Sequence, residues 1–371
     1  MAVVNLTIDG RKVQAQAGQT ILEAAQVAGI SIPTLCYHPA LPPEGACRLC
    51  LVEIERQRAL QPACTFPVGE GMVIHTRSPQ VEAARKFSLE LLISDHPLDC
   101  MTCEATGDCR LQDLAYEYGV RGDPYNGVKH KYAVDDPNPF IQVDRNKCVL
   151  CRLCVRACTY INGVEAISIF SRGFDSYIGF GADSTMQDSP CEFCGSCVAV
   201  CPVAALWPKM SIGKGRPWQV ERVQTVCSYC GVGCQLVLEV RDNRIIKVEG
   251  KWDGPSNHGW TCVKGRFGHD YVHHPDRLTR PRVRRYLLDG NPKPRHSGNA
   301  SNDPQWDWVE VAWDTALDIT ARKLSALREA HGSDSIGFLT SAKCTNEENY
   351  LMNKLARQVI GTNNLDHCAR L

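Results

Sequence analysis

Between Cys148 and Cys201 the sequence reads CVLCRLCVRAC and, after a gap, CEFCGSCVAVCP, two copies of C-x2-C-x2-C-x3-C. Thiolates are soft donors that suit iron–sulfur clusters and zinc. Three of them at steps of three wrap one corner of an iron–sulfur cube, and in paired arrangements the fourth crosses to the other cube. On that pattern Cys148, Cys151, Cys154 and Cys201 hold one 4Fe–4S cluster, and Cys191, Cys194, Cys197 and Cys158 hold the other. Structural zinc sites read instead as separated C-x2-C pairs. One departure stands out: Thr159 follows Cys158, where Pro202 follows Cys201. The chemistry on offer is electron transfer.

Three further sets share the same donors. Cys36-x10-Cys47-x2-Cys50-x13-Cys64 suits a 2Fe–2S cluster, with a first gap longer than the plant type. His96-x3-Cys100-x2-Cys103-x5-Cys109 places an imidazole at ligand spacing before three cysteines that lack a fourth partner. A lone histidine is ordinarily a surface or core residue, but imidazole can replace thiolate on iron, removing negative charge and changing the potential. Cys227-x2-Cys230-x3-Cys234-x27-Cys262 is a fifth candidate for 4Fe–4S, with Lys264 two residues on; a zinc ribbon has similar spacing. The five sets use His96 and all but two of the 21 cysteines, leaving Cys344 and Cys368 as unligated thiols. His38 is redundant beside four cysteines, and His273 and His274 read as packing or surface residues.

The elements that must position these ligands are legible in places. Residues 2–8 and 11–15 alternate apolar and polar about Asp9-Gly10, a hairpin signal. Thr20 and Glu23 form a capping box ahead of ILEAAQVA, and Gly29 supplies the stop. Strand, strand, helix and cysteine loop is the order of a β-grasp ferredoxin. Ser78-Pro79 opens a helix running to about Ser94. Residues 119–140 read as a connecting loop, while 159–190 contain strand-like pieces and are folded. A hairpin turning at Asp242-Asn243 follows the Cys227 set, and residues 288–306 form a Gly/Pro/Asn/Ser-rich loop. Asp314 is expected to cap a helix over Thr315–Ala330, followed by the strand SIGFLT and a helix across Asn346–Ile360. Asn346, Glu347 and Asn349 are placed either to approach a cofactor or simply to begin that helix. With only one strand, this is the opening of an α/β domain. The fold class is therefore α+β and multidomain: 1–78, a 2Fe–2S β-grasp domain; 79–118, the histidine-ligated segment; 138–210, a two-cluster ferredoxin domain; 220–276, a 4Fe–4S domain; and 277–371, an incomplete α/β domain.

The totals narrow the function. With 41 basic and 41 acidic residues in 371, no polyanion surface is indicated, so nucleic acid is not expected as a partner. The N-terminus lacks a signal-peptide pattern, and the best apolar run, Phe87–Ile93, is short of a membrane span. Clustered thiols in such a chain favour metal in the reducing cytoplasm over a disulfide scaffold. No Gly-rich nucleotide loop occurs, so NAD or flavin belongs to a partner, if it is used.

The first two cysteine sets resemble the N-terminal module shared by the large iron–sulfur subunit of respiratory complex I, iron-only hydrogenases and some formate dehydrogenases. That resemblance implies His96 as a cluster ligand. CSYCGVGC, CVKGRFG and HHPDRLTRP resemble the opening of the molybdopterin oxidoreductases, which favours a fifth 4Fe–4S cluster over zinc. It also implies Lys264 between that cluster and the pterin of a bis(molybdopterin guanine dinucleotide) cofactor carrying molybdenum or tungsten. SAKCTNEENY and VIGTNNLDHCARL resemble formate dehydrogenases more than complex I. Formate would then become CO2, with electrons leaving through the Cys227 set, the paired clusters, the His96 cluster and the 2Fe–2S site. A flavin/NAD diaphorase subunit, a ferredoxin-type acceptor or hydrogenase subunits would receive them. In that family the metal-ligating selenocysteine or cysteine would follow Leu371, so a UGA codon read as selenocysteine is expected there. No catalytic residue is then expected within this chain, nor formate oxidation by it alone. The alternatives are the complex I large subunit, a conduit without substrate chemistry; an iron-only-hydrogenase-related subunit; and a pure electron-transfer module.

Overall fold

β1 (Val3–Ile8) and β2 (Arg11–Gln16) form the hairpin their alternation predicts, with Leu6 opposite Val13. Asp9 and Gly10 take left-handed backbone, φ 48° and 77°, which matches the twist of the strands. Thr20 caps α1 (Ile21–Val27): its hydroxyl accepts from the Glu23 N–H, and the Glu23 carboxylate accepts from the Thr20 N–H. β3 (Leu51–Ile54), β4 (Gln61–Pro62) and β5 (Val73–His75) complete a sheet ordered β2-β1-β5-β3-β4, in which β5 runs parallel to β1. Leu6, Ile8, Ile21, Leu22, Val52 and Ile74 share its core, the arrangement expected of a β-grasp domain. The computed structural model describes residues 2–125, 127–134, 137–290 and 304–368.

Ser78 caps α2 (Pro79–Ser94), with Pro79 in its first turn. α3 (Arg110–Glu117) joins α2 through Leu89, Ile93, Leu111 and Leu114. Then come β6 (Ile141–Val143), α4 (Leu153–Arg156), β7 (Ile167–Phe170), β8 (Tyr177–Phe180), α5 (Ser196–Ala199) and β9 (Leu206–Pro208). β6 pairs with β9 and β7 with β8, both antiparallel. β10 (Glu221–Val226), β11 (Gln235–Arg241) and β12 (Arg244–Gly250) form a three-stranded sheet, and α6 (Val263–Phe267) packs on β12. The hairpin turn falls at Asp242 and Asn243, both left-handed.

The chain divides into two compact units, residues 1–224, 237–253 and 258–267, and residues 225–236, 254–257 and 268–371. The first has two cores besides that of the β-grasp sheet. One gathers Cys36, Cys47, Leu49, Leu89, Leu111, Cys151 and Ala157; the other gathers Ile141, Cys154, Cys158, Phe180, Cys197 and Phe267. Cys148 and Cys201 pack against both.

In the second unit, β13 (Arg282–Arg284), which runs into α7 (Arg285–Leu288), pairs antiparallel with β14 (Trp308–Glu310). Of the polar loop expected over 288–306, residues 291–303 lie outside the described residues. α8 (Trp313–His331) departs from expectation at its start: Ala312 is the N-cap, and Asp314 lies in the first turn with no capping bond. There its charge meets the positive helix end without supplying a cap. β15 (Phe338–Ser341) leads to α9 (Asn346–Lys354), which Thr345 and Glu348 close with a capping box, and a wider turn extends it over Leu355–Ile360. β16 (Leu365–Cys368) then pairs parallel with β15, Ser341 opposite Cys368. The expectation of one strand is thus corrected to a β-α-β unit. Its last strand, LDHC, was hidden because it lacks an apolar run. Among the described residues no helix is long and apolar enough to cross a membrane.

Candidate metal centres

The loop from α1 to β3 and the start of the segment after β4 place Cys36, Cys47, Cys50 and Cys64, all buried. The Cys47 N–H donates to Cys36 Sγ at 3.4 Å, and the Leu35 N–H donates to Cys47 Sγ at 3.5 Å. Thiol–thiol hydrogen bonding, with burial, pushes Cys36 far up, and the same bond draws Cys47 down to about 7. Cys50 and Cys64 make a second such pair, Cys50 raised and Cys64 lowered. His38 lies apart in role: its ring packs on Trp252 and Trp260, and its Nδ1 accepts from the Ala40 N–H.

His96 follows the end of α2, and Cys109 is the residue before α3. His96, Cys100 and Cys109 line a cavity of ≈ 430 Å³ together with Ile93, Leu111 and Ala115. Cys103 is not in that lining, but it is close enough that its ionisation would raise Cys109. The His96 Nδ1 is buried with no hydrogen-bond partner among the described residues. Burial also lowers the His96 pKa, keeping the ring in the neutral form that binds metal. Burial pushes Cys109 up to about 11.

The duplicated motif folds twice into one local shape. Leu150 and Arg152 have φ 50° and 59°, and their counterparts Phe193 and Gly195 have 54° and 75°. Left-handed backbone at the first position turns an amide onto sulfur: Leu150 N–H to Cys148 Sγ, and Phe193 N–H to Cys191 Sγ, each 3.4 Å. The Ala166 N–H reaches Cys158 Sγ at 3.3 Å. Electrostatically, Cys201 acts on Cys148, Cys151 and Cys154, whereas Cys158 acts on Cys191 and Cys197. Cys197 also acts on Cys154, and Cys201 on Cys197, so the two sets adjoin. Burial raises every one of these thiols that is shifted, with Cys148 at about 11.

Cys227, Cys230 and Cys234 share one loop of the second unit, closed by a 2.8 Å bond from Cys227 N–H to Cys234 O. The Asn346 amide, at the start of α9, donates to Gly231 O in that loop at 2.8 Å. The Asn349 amide instead donates to Ser341 O and Thr345 O. Cys262, exposed, and Lys264, half-buried on α6, belong to the first unit. Cys344 is half-buried; Cys368 is exposed and lies 3.2 Å from Ser341 Oγ.

Basic residues beside the cysteines are the feature that motif reading missed. Arg156 donates to Cys36 O and Cys151 O, Arg216 to Cys103 O, and Arg266 to Cys194 O. Lys147 Nζ lies 3.4 Å from Asp99 and 3.5 Å from Asp144, beside the His96 set. The sequence carries a signal for some of them, since Lys147, Arg152 and Arg156 interleave with the first cysteine run.

Among the described residues no three His, Cys, Asp or Glu side chains draw in tightly enough for a single metal ion. An iron–sulfur cluster is a larger body, and the donors fit one. Amides point at sulfur, an imidazole nitrogen is buried without a partner, and thiols sit where ionisation needs a compensating positive charge.

Five family models match successive stretches of the chain. Residues 1–79 match a 2Fe-2S iron-sulfur cluster binding domain, and 85–124 the NADH-ubiquinone oxidoreductase-G iron-sulfur binding region. Residues 138–207 match the ferredoxin-like domain of NADH-quinone oxidoreductase subunit 3. Residues 220–274 match the molybdopterin oxidoreductase Fe4S4 domain, and 277–371 match molybdopterin oxidoreductase. The chain is 37% identical over 371 residues to the NADPH-Fe(3+) oxidoreductase subunit alpha of Geobacter sulfurreducens, covering 100% of this chain and 40% of that one. It is 37% identical over 370 residues to a G-type NADH-quinone oxidoreductase subunit of Rhizobium meliloti, covering 99% and 40%. A crystal structure of an NAD+-reducing [NiFe]-hydrogenase has a chain 34% identical, with TM-score 0.55, matched over 58% of this chain and 91% of that one. The chain therefore spans about 40% of the length of the curated relatives it matches.

Proposed function

We propose a function from one premise: the chain belongs to the family of iron–sulfur chains that joins the G-type subunits of NADH-quinone oxidoreductase to the molybdopterin oxidoreductases. Its part is that of the iron–sulfur electron-transfer portion of an oxidoreductase. Cys36, Cys47, Cys50 and Cys64 hold a 2Fe–2S cluster, and His96 with Cys100, Cys103 and Cys109 holds a 4Fe–4S cluster. The crossed quartets Cys148/151/154/201 and Cys191/194/197/158 hold two more. Cys227, Cys230, Cys234 and Cys262 hold the fifth, with Lys264 serving the pterin side. Such clusters supply one-electron transfer when bound. The chain's own work is to orient ligands, aim amides at sulfur, hold the ligands' backbone carbonyls with buried cations, and exclude water.

Formate is the substrate we assign to the whole protein, with a flavin/NAD or ferredoxin-type partner taking the electrons. The observation that carries this is SAKCTNEENY with VIGTNNLDHCARL, read beside the match of residues 277–371 to molybdopterin oxidoreductase. A Staphylococcus aureus protein provisionally named a formate dehydrogenase is 32% identical over 404 residues, covering 98% of this chain and 39% of that protein. A second reading, an NAD(P)H-linked conduit, has the support of the two relatives at 37% identity. Anaerobically purified full-length protein separates the two. Molybdenum or tungsten with formate-dependent dye reduction is expected; reduction of the clusters only through an NAD(P)H-oxidising partner would move the assignment to the conduit.

A further inference from the structure

Arg156 is 7% exposed and makes an unusual set of bonds. Its Nη2 donates to Cys36 O at 2.7 Å and to Cys151 O at 3.0 Å. Its Nη1 donates to Pro42 O at 2.6 Å, and its Nε lies 3.3 Å from Glu44 Oε2. One nitrogen thus spans backbone carbonyls of two candidate ligands, from sets 120 and 5 residues away in sequence. It does so from the last residue of α4, between Cys154 and Cys158, which belong to the two crossed quartets. A guanidinium suits this place, because its planar fork serves several carbonyls at once and it stays charged when buried. Glu44 also binds Arg152, at 2.6 Å, so two cations face one carboxylate and a positive charge remains.

A buried positive charge beside an iron–sulfur centre favours the more negative, reduced state, because low dielectric preserves the attraction. Resting on the centres assigned above, we propose that Arg156 is the positioning residue for direct electron exchange between the Cys36 centre and the Cys151 centre, in place of the route through the His96 centre that the sequence suggested. It fixes their separation through the shared Nη2 and raises both reduction potentials. In that exchange one electron leaves one centre and enters the other, and no bond or proton is transferred.

The test uses full-length, cluster-loaded protein carrying Arg156→Met or Arg156→Lys, followed by EPR-monitored redox titration. Arg156→Met is expected to lower both midpoints by about a tenfold change in the reduction equilibrium, about 59 mV for one electron, leaving the His96 centre unmoved. Arg156→Lys restores the potentials but not the fork, so magnetic coupling between the two centres stays weaker than in the wild type. Unchanged midpoints and coupling in both variants, or an equal shift of every centre, overturn the assignment. If the Met variant fails to assemble, the Lys variant decides: wild-type-like potentials uphold the role of charge, while failed assembly there too leaves Arg156 a structural strut only. A wild type with no 2Fe–2S signal overturns the centres themselves, and the role of Arg156 with them.

Discussion

At the scale of single residues, ligand identity sets charge. In the ligand sets proposed above, His96 contributes a neutral ring where the other centres use a fourth thiolate. His96→Cys is expected to keep a 4Fe–4S signal but shift its midpoint negative, and His96→Ala to lose that one signal, both readable by EPR titration. Retention of every signal in His96→Ala would remove histidine from the ligand set. The cysteines were legible because steps of three and the crossed fourth thiol are properties of consecutive chain. Arg156 was not, because its partners Pro42 and Cys36 lie 114 and 120 residues away. A basic residue between Cys154 and Cys158 is ordinary until folding brings those carbonyls to it.

At the scale of elements, backbone hand does the positioning. Gly195 opens α5 with φ 75°, and a Cβ there would sit 2.2 Å from Arg266 Cδ. Gly195→Ala should therefore destabilise the Cys191 half by at least about 1–2 kcal/mol for the left-handed strain alone. Faster loss of that cluster to a chelator would report it, with the Cys36 centre unaffected; equal loss rates in mutant and wild type would count against it. Arg152 shows that the hand is tolerable without glycine where space allows, at φ 59°. Local signals that satisfy a backbone group in sequence, such as Thr20 with Glu23 or Ser78 with Pro79, placed helix starts correctly. Asp314 misled because an acid favours both a cap and a first turn. β16 escaped notice because its pairing with β15 comes from a strand 27 residues earlier.

At the scale of the whole molecule, β11 and β12 carry a buried ion group. Lys247 Nζ lies 2.8 Å from Glu249 and 3.4 Å from Glu239, over the Trp207 ring. Lys247→Met leaves Glu239 without its cation and Glu249 with Arg222 alone, at 2.7 Å, and should cost about 3–5 kcal/mol in chemical unfolding. Burial raises the Glu249 carboxyl, but Lys247, Arg222 and Arg266 together outweigh it and hold the group below its ordinary 4.5. Its contribution is therefore present at neutral pH and lost as pH falls below that value. In Lys247→Met the acid dependence of the unfolding midpoint should weaken; an unchanged profile would assign it elsewhere. Module order was readable from the sequence, since each cysteine set announces itself. The fusion of modules into shared cores was not, because Cys148 and Cys201 reveal their double packing only in three dimensions.

That double packing bears on how the protein is made. Cys151, Cys154 and Cys197 are 8%, 8% and 6% exposed, so the finished surface gives iron little access to them. With clusters held as proposed, metallation is expected to precede closure, the nascent or unfolded chain taking up iron and sulfide. Refolding with both present should give loaded protein in high yield, whereas adding them to chain already refolded without metal should load the two crossed quartets poorly. Comparable iron content by either order would show that these cores open readily.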